Sequence, residues 1–213
     1  MVKLIKAEIY KLHKFHSFRI ILLFALGVGI FSGFSSCSGY QVYNLGLIPE
    51  LFDAVLISVF TADFVCMEFS NRTFDNALLC GTSRKNVFLA KLMVYFPGLL
   101  ILILVPLAAG TGVATLRNGF GADWNAVALE VESEFLAYIL YRFSMAAFAI
   151  LVASIIQNPI GTLGISIAGI YLVTLNQSTM GNPDMPDMFI AFIIKMAILL
   201  SVATFIFIMR DLK

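Results

Sequence analysis

Apolar runs long enough to cross a bilayer recur along this chain of 213 residues, and nothing else constrains its fold as tightly. Crossing about 30 Å of hydrocarbon takes about 20 apolar residues in a helix. Inside hydrocarbon each backbone N–H and C=O must find its partner within the protein, which a helix achieves on its own. Six such runs are expected, at 17–34, 47–65, 87–112, 135–156, 160–175 and 189–209. The run at 87–112 is over-long and carries Pro97 and Pro106, so it should tilt or kink. The one at 160–175 is the shortest and weakest. Composition agrees: 60% of residues are apolar and 13% charged, where soluble domains run at about 45–50% and about 25%. Mean hydropathy is +0.94. Three cysteines exclude a disulfide scaffold, and the surplus of Phe, Ile and Leu excludes disorder. The first apolar run lies behind a basic segment and is too long for a signal-peptide core, so no cleavage is expected. The chain reads as one all-α transmembrane domain over 1–213.

Orientation is set by the basic residues, which gather in cytoplasmic connections. Of the 14 Lys and Arg, ten fall on one side: Lys3, Lys6, Lys11, Lys14 and Arg19, then Arg72, Arg84 and Lys85, then Arg210 and Lys213. The alternate connections hold only Arg117, beside Asp123, Glu130, Glu132, Glu134, Asp184 and Asp187. Both termini are therefore expected in the cytoplasm. Cys66 and Cys80 would face a reducing compartment and Cys37 the outside, so no disulfide is expected.

Residues 1–16 form the first informative stretch. Val2, Ile5, Ile9 and Leu12 share an arc of about 80° on a helical wheel, while Lys3, Lys6 and Lys14 point away. An interfacial helix is expected, with Lys3, Lys6, Lys11 and Lys14 as membrane-surface anchors. The connection at 68–86 is richer. Phe74, Ala77 and Leu78 share a face at i, i+3 and i+4, which predicts a short amphipathic helix over 71–79. Gly81 is placed to end it in a left-handed turn, and Ser83 to cap the helix that becomes the third span. A plain tether would need a few polar residues; this element has an apolar face that must pack on something.

The pattern Glu68, Thr73, Leu78-Leu79, Gly81-Thr82-Ser83-Arg84 and Lys91 resembles the first cytoplasmic loop of type-2 ABC exporter permeases. These are the six-span subunits of bacterial bacteriocin-immunity and antibiotic-efflux transporters. The opening Leu4-Ile5-Lys6-Ala7-Glu8-Ile9-Tyr10-Lys11-Leu12 is similar to the elbow helix that starts those proteins. The resemblance implies an elbow helix, a coupling helix between spans two and three, and a cytoplasmic ATPase that receives it. Glu68, Arg72, Thr73, Phe74, Leu78, Leu79, Gly81, Ser83 and Arg84 would carry that coupling. It further implies a second permease chain, identical or paralogous, in a bacterial plasma membrane. No G-x-x-x-x-G-K-[ST] occurs, so the chain should not be an enzyme itself; ATP and Mg would sit on the partner. No nucleic-acid partner is expected. Exported peptide antibiotics or other amphipathic compounds are the implied substrates.

Charges inside the spans are costly and need a role. Glu50, Asp53, Arg142 and Lys195 share one depth in the outer half of the membrane. They form either a polar layer lining the pathway or interhelical ion pairs. Asp63 and Lys91 share a depth near the cytoplasmic surface, where pairing or snorkelling would suffice. Gly161, Gly164 and Ala168 give the fifth span a small-residue face for helix packing. Trp124, Val127 and Val131 suggest an acidic helix over 124–134 lying on the outer surface. His13, His16, Cys66 and Cys80 lack metal-ligand spacing, so no metal site is expected. An intramembrane enzyme would need a catalytic cluster, and no H-E-x-x-H or G-x-S-x-G is present. Half of a secondary transporter, or a membrane scaffold or sensor, remains the alternative.

Overall fold

The computed structural model describes residues 2–36, 38–44, 50–67, 83–122, 124–179 and 185–209. All regular structure among them is helical: α1 (Val2–Lys14), α2 (His16–Ser35), α3 (Gly39–Asn44), α4 (Glu50–Thr61), α5 (Arg84–Asn118), α6 (Trp124–Ile156), α7 (Pro159–Thr179) and α8 (Met185–Met209). α4 runs on into a π turn, Ala62–Cys66. Among the described residues, four stretches are long and apolar enough to cross a membrane: His16–Ser35, Lys85–Asn118, Phe135–Ile156 and Ile190–Met209. The other two expected runs fall on α4 with its π turn and on α7, whose apolar part Pro159–Leu172 is shorter.

Local chemistry sets the helix ends. Ser83 has extended backbone and its Oγ accepts from Asn86 N at 3.4 Å, capping α5. The turn between α6 and α7 places Gln157 at φ 56°, with its N–H donated to Ala153 O at 3.0 Å. Asn158 Oδ1 then accepts from Ile160 N at 3.1 Å, and Pro159 takes the first helical position, where its missing N–H costs nothing. α5 outruns its expected limits at both ends, and Pro97 and Pro106 sit inside it without ending it. The expected surface helix at 124–134 is instead the start of α6, which is unbroken from Trp124 to Ile156. The reason is plain in the sequence: no Gly or Pro stands between those residues.

α4 is the centre of the bundle. It packs on α2, α6 and α7; Ala54, Ile57, Phe60 and Thr61 of α4 are buried, as are Phe64 and Cys66 of the π turn, while Phe52, Val55 and Val59 are partly buried. α5 and α6 bury 50% and 56% of their spanning windows, against 28% for α2 and 17% for α8, so the latter pair form the outside. Ile20, Leu23, Phe24 and Phe31 of α2, and Ile194, Ile198 and Phe205 of α8, are exposed. Those are the faces that lipid would cover.

α2 and α5 form an intimate pair. A Cβ at Gly29 would collide with the backbone of Pro106, and one at Gly33 would stand 2.6 Å from Gly110 O. Such close approach substitutes for the hydrophobic drive that lipid does not supply. Beyond it, Arg117 donates to Phe34 O at 2.9 Å and Asn118 Nδ2 to Ser36 O at 3.2 Å, occupying end carbonyls of α2. The small-residue face expected on α7 meets the described residues only at Gly161, where a Cβ would stand 2.9 Å from Ile156 Cγ2. Gly164 has open space around it and Ala168 is exposed, while Thr162, Ser166 and Ile170 turn inward.

Gly29→Val is expected to lower stability by about 1–3 kcal/mol, because the colliding atoms are backbone and cannot step aside. Gly27→Ala, with nothing within 4 Å of the new methyl, should change it by less than about 0.5 kcal/mol. Thermal unfolding in detergent compares the two; equal midpoints would refute the close α2–α5 contact.

Candidate functional site

Two buried charge centres lie at different levels of the bundle. The first gathers at the end where α4 finishes and α5 begins. Lys91 of α5 is 1% exposed; its Nζ is 3.4 Å from Glu8 Oε2 on α1 and 4.5 Å above the Phe64 ring in the π turn. Glu8 Oε1 accepts a second bond from Lys11 Nζ at 2.7 Å. One cation thus ties three elements together.

An aromatic stack continues inward from it. Phe64 stacks on Phe60 at 5.6 Å, and Phe60 on Tyr95 at 5.0 Å. The Tyr95 hydroxyl meets Thr61 Oγ1 at 2.7 Å, and Thr61 donates to Ile57 O at 2.7 Å. On the other side of the π turn, Cys66 Sγ lies 3.1 Å from Thr162 Oγ1, which brings in α7. A π turn holds one more residue than an α turn and so rotates the side chains beyond it, and such turns recur at functional sites. Here it presents Phe64 to Lys91 and Cys66 to Thr162.

The second centre is an ion pair between Asp53 of α4 and Arg142 of α6. Both are nearly sealed, at 4% and 3% exposure. The guanidinium lies over Tyr138 at 4.7 Å and Tyr141 at 5.5 Å, and Nη1 approaches Met145 Sδ at 3.8 Å. Arg142 Nε has no hydrogen-bond partner among the described residues. Coulomb attraction is strong in so dry a place, but so is the cost of desolvating two ions. The pair fixes the α4–α6 register more surely than it adds stability.

The sequence matches the family described as ABC-2 family transporter protein over residues 4–176. The chain belongs to that family. No curated protein and no solved structure matches it. Membership makes this ABC-2 chain a membrane-embedded permease-type subunit whose partner is a cytoplasmic ATPase. Both charge centres lie inside the matched range, and α8 lies beyond it.

Within this ABC-2 protein the sequence-derived candidates scatter. Asp53 and Arg142 meet, whereas Lys195 stands apart on α8, exposed, beside Tyr141, Ser144, Met145, Phe148 and Ile170. Glu50 opens α4, one turn before Asp53, and its side chain lies outside the described residues. So do Glu68, Arg72, Thr73, Phe74, Leu78, Leu79 and Gly81, with the helix expected at 71–79. Ser83 is the cap of α5, and Arg84 is the first residue of that helix. Lys3, Lys6 and Lys14 are exposed on α1, and Lys11 reaches Glu8.

Lys91 pairs with Glu8, not with Asp63 at the same depth. Glu8 is the residue that sequence reasoning passed over. Its signal was present: an acid in a basic helix, three residues from Ile5 and Lys11 and four from Leu12. The expected apolar arc of α1 is correspondingly split. Leu12 is buried and Ile5 partly so, whereas Val2 and Ile9 are exposed, because Glu8 rotates toward the buried ammonium.

Removing one member of the Asp53–Arg142 pair strands the other charge, at a cost of about 3–5 kcal/mol. Asp53→Asn is therefore expected to lose folded yield, and Asp53→Asn with Arg142→Gln to recover part of it. Detergent-extracted, monodisperse protein is the readout. A double variant no better than Asp53→Asn would mean the two charges are not coupled.

Proposed function

We propose that the chain is the permease subunit of an ATP-driven exporter and contains six spans with both termini in the cytoplasm. The observation that carries this reading is the family match over residues 4–176. On it, the connection at 68–86 is the coupling loop, whose helix at 71–79 docks on the ATPase, and α1 is the elbow helix. ATP and Mg act on that partner; this chain catalyses nothing. A second permease chain completes the pathway. The membrane is a bacterial plasma membrane, and the cargo is a peptide antibiotic or another amphipathic compound.

The Lys91 centre supports a mechanical role for that loop. Residues 68–82 connect the π turn to the start of α5, and Lys91 is about 12 Å along α5 from Ser83 at about 1.5 Å per residue. A push on the loop therefore reaches two elements already joined through Phe64 and Lys91, with α1 attached through Glu8. The three would move as a unit instead of flexing separately. The Asp53–Arg142 pair then belongs to the outer half and holds α4 against α6 while the inner end shifts.

Charge on the apolar face of the coupling helix tests this. Leu78→Asp should insert normally yet abolish substrate-stimulated ATP hydrolysis in the complex with the co-purified ATPase. Normal stimulation in that variant would sink the coupling assignment.

Orientation has its own test. Cys37 is expected to react with an impermeant thiol reagent added to intact cells, and Cys80 to stay unlabelled. Cys66 is buried and should be silent from either side. Labelling of Cys80 from outside would invert the topology and remove the ATPase from the loop.

A further inference from the structure

Among the described residues, Lys195 is the intramembrane cation that the fold leaves without a counter-charge. Asp53, the acid at comparable depth whose side chain is described, is taken by Arg142. No hydrogen bond or ion pair joins Lys195 to any described residue. Its position is not marginal. It stands five residues inside the apolar stretch that begins at Ile190, about 8 Å at about 1.5 Å per residue. The contact of Tyr141 with Phe192, 5.5 Å between rings, sets α6 beside α8 at that level. One turn further on, Lys195 is level with Ser144 and Met145. Ser144 is nine residues inside the stretch that begins at Phe135, or about 14 Å. A lone ammonium in the bilayer interior costs about 2.5 kcal/mol or more.

Its surroundings are built for more than burial. Lys195 lines a cleft with Tyr141, Ser144, Met145, Phe148 and Ile170, drawn from α6, α7 and α8. The lining is apolar and aromatic, with one cation, the Ser144 hydroxyl and the Tyr141 phenol. Arg142, 5.5 Å from the Tyr141 ring, is already neutralised by Asp53, so Lys195 is the uncompensated charge at the cleft. Ile194 and Ile198 flank Lys195 and are exposed, so the cleft opens on the face that lipid covers.

We propose that this cleft binds an amphiphile from the bilayer, with Lys195 neutralising its single anionic group and the partly exposed Tyr141 and Phe148, beside the exposed Ile194 and Ile198, holding its apolar body. A water-soluble anion would leave the apolar part of the lining unfilled, and an uncharged lipid would leave the ammonium unpaired. Charge complementarity selects the molecule that has both parts. The assignment deepens the permease reading by naming the chemistry of what the membrane face admits, and it rests on that reading only for the consequence, not for the binding.

The test uses the purified full chain in detergent, with oleate as probe and oleyl alcohol as its uncharged twin. Dioleoylphosphatidylglycerol against dioleoylphosphatidylcholine forms a second pair, and native mass spectrometry gives the affinities. The wild type should prefer oleate to oleyl alcohol at least tenfold, equivalent to about 1.4 kcal/mol. Lys195→Arg should keep that preference, and Lys195→Gln, with an unchanged unfolding midpoint, should lose it. A matching preference for phosphatidylglycerol, also lost in Lys195→Gln, identifies the occupant as a bilayer lipid; preference for oleate alone identifies a free amphiphile. Equal affinity for oleate and oleyl alcohol overturns the proposal, and so does a preference that survives Lys195→Gln. Self-association lost in Lys195→Gln with no lipid preference in the wild type also overturns it, and gives the lysine to a contact between copies. The measurement needs no ATPase, so its failure leaves the exporter reading standing. Loss of ATPase stimulation with amphiphile binding intact would sink the exporter reading alone.

Discussion

A charge inside hydrocarbon must be neutralised where it stands, and the arrangement of this bundle depends on how that is done. Three basic residues fall well within its described apolar helices: Lys91, Arg142 and Lys195. Two find acids on other helices, Glu8 and Asp53. Each pairing fixes a rotation as well as a distance, since a helix turned by one residue moves a side chain about 100° away. Asp53 faces α6 because Arg142 is there, and that orients the rest of α4. The third cation, Lys195, has no such partner among the described residues and sits on the outermost helix.

Neutral packing works within those limits. α4 is short for a span, yet it touches α2, α6 and α7, and its small residues let them come near. Ala54 of α4 and Ala146, Ala149 and Ala153 of α6 have no exposed surface. Gly29 and Gly33 do the same for α2 against α5. In lipid, where apolar side chains gain little by leaving their surroundings, such contact and the buried hydrogen bonds are what hold helices together. The Thr61–Tyr95 bond at 2.7 Å and the Cys66–Thr162 contact at 3.1 Å are of that kind.

Much of the helical layout was legible in the sequence because length and apolarity are local properties. The spans at 17–34 and 135–156 lie inside α2 and α6, and Ser83 caps α5. Tertiary choices were harder to read. Depth set only Asp63 level with Lys91 and passed over Glu8, because α1 folds back on α5 from far along the chain. The small-residue face of α7 was visible, but the pattern does not say whether it meets this chain or something else. By contrast, the spacing of Gly29 and Gly33, four apart in an apolar helix, was a readable packing signal. So was the absence of Gly or Pro between Trp124 and Ile156, which lets one helix run through.

The two charge centres also differ in what they can do. Asp53–Arg142 joins two long helices, is sealed from solvent, and has aromatic rings against the guanidinium. Sliding α4 along α6 would tear apart charges that have no water to take them, so this level resists shear. The Lys91 centre joins three elements at once. Its ammonium, 1% exposed, meets Glu8 of α1 at 3.4 Å and lies over the Phe64 ring, while Glu8 is shared with the half-exposed Lys11. Movement of α1, α5 or the π turn relative to the others would pull a buried ammonium from its partners, so this level favours movement of the three together. One centre thus holds two helices in register, and the other links three elements through a single cation.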